Sequence, residues 1–131
     1  MFNRYVIFLT IVCAAIWGFH RELVNGDVLQ YIDAHPHPIY TPPVLYYTGV
    51  TYGLFQDLED AATYYIRITE KFPTSAYADD AMYEYLQTLD NRMVLPRRLL
   101  GDEYEKYLDK FPHGNHEQMV RNRISMIRTG P

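Results

Sequence analysis

The segment YYIRITEKFP at Tyr64–Pro73 returns as EYEKYLDKFP at Glu103–Pro112, so that Tyr65, Lys71, Phe72 and Pro73 reappear thirty-nine residues later as Tyr104, Lys110, Phe111 and Pro112. A fainter copy, QYIDAHP at Gln30–Pro36, precedes the first by thirty-seven residues. Periods of this size mark stacked helical pairs, in which no unit buries its apolar face alone and each needs its neighbour. About two and a half such units fit in the 131 residues, which are enough for one hydrophobic core and too few for two.

Helix signals fall in step with the repeat. Thr41 followed by Pro42 reads as an N-cap with proline in the first turn, opening a helix through Gly49 and Tyr52 to about Phe55. Asp57 caps the next, which places Leu58, Ala61, Tyr65 and Ile68 on one face. After the Phe72-Pro73 stop, Ser75 is expected to cap a third helix with an apolar stripe of Ala78, Ala81, Met82, Tyr85, Leu86 and Leu89. Asp79 and Asp80 in its first turn complement the helix dipole. A fourth helix from Pro96 turns Leu100, Tyr104, Tyr107, Leu108 and Phe111 inward, and a fifth over 116–128 offers Val120, Ile124 and Ile127. No alternating apolar and polar run is long enough for a sheet, so the expected class is all-α: about five helices behind an N-terminal hydrophobic helix.

Gly49, Tyr52, Ala61, Tyr65 and Pro73 stand at the spacings where the tetratricopeptide repeat places its small packing residue, first aromatic, close-contact alanine, second aromatic and terminating proline. On these residues the stretch from Tyr40 to Arg128 resembles that family. The run FPTSAYADDAMYEYL at Phe72–Leu86 is similar to the longer-period form of bacterial envelope proteins, the BamD-type outer-membrane assembly lipoproteins and the CpoB-type partners of the Tol system. The linker Asn91–Arg98 departs from the usual turn between repeats. The resemblance implies a short helical-hairpin solenoid that binds other proteins in the periplasm.

Residues 1–19 form a separate segment, in which Arg4 precedes an apolar run from Tyr5 to Phe19. Three readings meet there. Lipidation would act on Cys13, but Val12 stands where a small residue is needed. A cleaved signal peptide would use Cys13-Ala14-Ala15 and leave a short hydrophobic region. An uncleaved anchor keeps Arg4 in the cytoplasm and exports the rest, although fifteen apolar residues fall short of the roughly 20 that span comfortably. The expected arrangement is a single inner-membrane anchor at 1–19, a connector with a partial repeat at 20–41 and a repeat domain at 42–131 in the periplasm; the alternative is a free periplasmic adaptor.

The residues argue against chemistry. His35/His37 and His113/His116 are close pairs without a third or fourth ligand, so no metal or haem site is expected, although a histidine-based metal-associated protein is the reading from a different class. Asp57/Asp60 and Asp79/Asp80 read as caps rather than as an acid and base, and neither a nucleophile motif nor a phosphate loop is present. No catalytic residue, cofactor or enzymatic activity is expected. Residues 21–90 carry eleven acids against three bases, which disfavours nucleic acid, while 91–131 carry eight bases against five acids. The expected partners are proteins, as subunits of a membrane or envelope complex. The expected contact surface is the inner face of the first helix of each fuller repeat: Tyr46 and Val50, then Asp80, Tyr83 and Gln87.

Overall fold

The structure is a computed structural model that describes residues 4–24, 27–93 and 95–130. Among these residues every regular element is a helix: α1 Arg4–Val24, α2 Asp27–Ala34, α3 Thr41–Leu54, α4 Leu58–Lys71, α5 Ala78–Asn91, α6 Arg97–Lys110 and α7 Glu117–Thr129. The chain is all-α, and it divides into two compact units, residues 1–37 and 38–131.

In the first unit α1 packs on α2. Val6, Ile7, Phe8, Leu9, Ile16 and Trp17 of α1 are all exposed. Among the described residues, no helix is long and apolar enough to cross a membrane. The anchor expected over 1–19 is thus not matched by a membrane-length apolar helix, because polar His20, Arg21 and Glu22 follow the fifteen-residue apolar run at once. Within the segment 20–41, expected as a connector with a partial repeat, residues Asp27–Ala34 form α2, where Tyr31 and His35, one turn apart, stack with ring centroids 4.8 Å apart.

The second unit holds five helices whose ends follow from local chemistry. Asp57 caps α4 as expected, its carboxylate accepting from the Asp60 N–H at 3.4 Å. Two caps sit one or two residues from their expected places. Thr41 is the first residue of α3 rather than its cap, because Tyr40 already adopts helical angles and its carbonyl accepts from the Val44 N–H at 3.4 Å. Ser75 caps the turn before α5: its hydroxyl accepts from the Tyr77 N–H at 3.2 Å, and Tyr77 is the N-cap. Pro96 and His116 are the N-caps of α6 and α7. Helices α3 and α5 end alike, on Gln56 and Met93 in the left-handed region at φ 63° and 51°. At the end of α3 the Gln56 and Asp57 N–H groups return to the carbonyls of Gly53 and Tyr52, which satisfies two orphan acceptors.

Packing runs from each helix to the next: α3 on α4, α4 on α5, α5 on α6 and α6 on α7. At the first contact the Tyr65 ring lies so close to Gly49 that a Cβ there would be 2.7 Å from its Cε1, and Tyr65 is itself buried. The missing side chain sets the distance of approach. Beyond it, Met82 and Leu86 of α5 pack with Leu100, Tyr104 and Tyr107 of α6 and Val120, Ile124 and Ile127 of α7. Fully buried Tyr64, Tyr104 and Tyr107 account for part of the tyrosine excess. Gly49→Val is expected to lower stability by about 1–2 kcal/mol, since overpacking against a held ring outweighs the small gain in helix propensity. A shift of the urea midpoint at constant slope measures it.

Candidate partner-binding groove

Helices α3, α4 and α5 enclose a groove of about 500 Å³, walled by Val50, Leu54, Leu58, Ala61, Tyr65, Glu84 and Gln87 among others. Val50 and Gln87 are thirty-seven residues apart and occupy equivalent places on the first helices of two repeats. At one end of α3 lies a tyrosine cluster. The Tyr46 ring centroid is 5.9 Å from that of Tyr65, 5.5 Å from that of Tyr77 and 5.6 Å from that of Tyr47. Tyr46 is half-buried and Tyr47 is 61 % exposed, so the cluster presents rigid aromatic surface.

The same joint recurs one repeat further on. Tyr83 stands thirty-seven residues after Tyr46, and His116 stands thirty-nine after Tyr77. As the N-cap ring Tyr77 packs on Tyr46, so the N-cap ring His116 lies on Tyr83, with centroids 4.0 Å apart and planes within 4°. Each first helix therefore hands an aromatic ring to the start of the next.

Carboxylates on α5 fasten the last hairpin to it. Asp79 accepts from the Tyr107 hydroxyl and, at 2.7 Å, from the Asn115 N–H. Gly114 passes close by, where a Cβ would be 2.5 Å from the Tyr107 hydroxyl oxygen. Asp80 Oδ1 lies 2.8 Å from His116 Nε2. Asp90 takes a bidentate pair from Arg123 at 2.6 and 2.7 Å and the Tyr104 hydroxyl at 2.9 Å, and that hydroxyl accepts from Gln87 at 3.0 Å. These bonds hold the Asp90 carboxyl below its ordinary range, Arg123 being the largest cause.

The five residues expected on the contact face therefore have different settings. Tyr46 is half-buried in the tyrosine cluster, and Val50 and Gln87 line the groove. Asp80 and Tyr83 are engaged with α7, since the Tyr83 hydroxyl also reaches Met119 Sδ at 3.6 Å. Their contacts lie across a long gap in sequence, which is why periodicity alone leaves them on an open face.

Glu84 is the groove residue that sequence reasoning passed over. It is half-buried, and its carboxylate has no hydrogen bond or ion pair among the described residues. Desolvation pushes its pKa up, opposed by His116 and assisted by Asp80. A carboxyl raised in the fold contributes stability below its unfolded pKa, and that contribution is lost as pH rises through the folded value. Glu84→Gln is accordingly expected to raise the melting temperature at pH 7 and to leave it unchanged near pH 3. Scanning calorimetry at the two pH values checks the sign.

Among the described residues no group of three or more His, Cys, Asp or Glu gathers in a way that could hold a metal ion. The chain matches no protein-family model, and a comparison with curated proteins gives no match.

Proposed function

We propose that this chain is a non-enzymatic protein-interaction scaffold, a short solenoid of tetratricopeptide type that receives a partner segment in the groove between α3 and α5. The observation that carries the reading is the groove itself, walled by the equivalent residues Val50 and Gln87 and by Tyr65, whose ring centroid lies 5.9 Å from that of the half-buried Tyr46. Rigid aromatic side chains of this kind give contact area at low entropic cost. The close approach of Tyr65 to Gly49 and the helix-to-next-helix packing support the repeat reading. The exposed apolar side chains of α1 support attachment to a membrane complex on the exported side, with α1 covered by lipid or by neighbouring helices. Intact mass of the mature protein distinguishes a retained N-terminal segment from a cleaved one.

The test is capture by a tagged full-length copy from gently solubilised membranes. Tyr46→Ala combined with Val50→Ala is expected to weaken stoichiometric partner capture about tenfold or more while the helical signal is kept. Capture that is indifferent to both changes, or a free monomer in every detergent, removes the groove from the function.

A further inference from the structure

Four features of the groove agree on the chemistry of its occupant, given the protein-binding reading on which this inference rests. Glu84 is a half-buried carboxylate in the groove wall, with no hydrogen bond or ion pair to its carboxylate among the described residues. The equivalent position thirty-nine residues on is Arg123, whose charge is met by the Asp90 carboxylate at 2.6 Å. Position 84 carries the opposite sign, and the His116 ring that acts on it electrostatically is bonded through Nε2 to Asp80 at 2.8 Å instead. Tyr65 shares the groove wall with it, the Tyr46 ring centroid lies 5.9 Å from that of Tyr65, and tyrosine faces attract ammonium and guanidinium groups. Val50, Leu54, Leu58 and Ala61 supply apolar wall, suited to the methylene stem of a long basic side chain. The surroundings have the same bias: between Thr41 and Asn91 eight acids face two bases, Arg67 and Lys71, both on α4.

We infer that the groove accepts a basic segment of a partner protein, with one arginine or lysine laid along the apolar wall against Tyr46 and its charge paired with Glu84. The partner side chain completes the ion pair that the fold leaves open. Ionised Glu84 costs stability in the free protein and returns it on binding, as expected of a group kept for recognition.

The experiment is an unbiased heptapeptide display selection on the purified full-length chain, followed by calorimetric titration of the strongest synthetic peptide against wild type and Glu84→Gln. The variant is nearly isosteric, and circular dichroism verifies that it is folded. The expected result is enrichment of arginine- or lysine-bearing peptides whose Kd rises about tenfold in the variant, and rises more steeply with salt in wild type than in the variant. Enriched peptides without basic residues, or equal affinity for the two proteins, overturn the basic-segment inference and leave the protein-binding reading standing. Failure to enrich any peptide overturns both. Concentration-dependent self-association in sedimentation, abolished by Glu84→Gln, would assign the groove to a second copy of the chain and likewise overturn the proposal.

Discussion

Tyr104→Ala is expected to lower stability by about 3–5 kcal/mol, the ordinary cost of removing a fully buried aromatic ring. The ring lies at the centre of the α5–α7 core, and its hydroxyl joins Gln87 to Asp90. The truncation therefore opens a cavity and takes one partner from each of two polar groups. Against a typical domain stability of about 5–15 kcal/mol, such a loss leaves the 38–131 unit close to its folding threshold. Tyr104→Phe separates the two contributions: it keeps the ring and is expected to cost about 1–2 kcal/mol, the value of the hydroxyl bonds. Chemical denaturation followed by circular dichroism reads both. Equal losses for Phe and Ala would mean that the polar junction, rather than ring packing, holds the hairpin.

Asp90→Ala is the second large effect, expected at about 2–3 kcal/mol, because one carboxylate serves Arg123 twice and Tyr104 once. The Arg123 side chain is 39 % exposed and recovers part of its hydration, which keeps the cost below that of a fully buried broken pair. Since the folded pKa of Asp90 is depressed, its contribution is complete above the unfolded value of about 3.9 and disappears as pH falls through the folded value. The difference between wild type and Asp90→Ala should therefore be full at pH 7 and narrow steadily in acid. A difference that stays constant down to pH 2 would show that the ion pair is not its source.

The helices were legible because their punctuation is chemical. Phe72-Pro73 and Phe111-Pro112 stop α4 and α6 at the same phase, Asp57 caps the start of α4, and the Met82–Leu86 stripe has an unmistakable period. The short helix α2 was less legible: eight residues around a single copy of a weak motif carry little signal. The distribution of polar contacts was harder still. Asp79 and Asp80 satisfy every rule for first-turn acids, and nothing local reveals that they also hold Asn115, Tyr107 and His116 across a gap of some thirty residues. Glu84 escaped notice because a charged residue on a helix ordinarily reads as solvated; burial by two flanking helices gives it meaning. One signal was available in retrospect. Aligning Tyr77 with His116 and Tyr46 with Tyr83 pairs four rings, and rings at matched positions of adjacent units suggest stacking rather than an open surface.

The order of packing in the 38–131 unit, each helix against its successor, also bears on how the unit forms. Its main contacts join segments close in sequence, so that little loop entropy is lost before a contact is gained, and assembly is expected to be fast for a domain of this length. A hairpin at either end is expected to nucleate and the next helix to add to it, with the α5 carboxylates closing on Tyr107, Asn115 and His116 after the hairpins have formed.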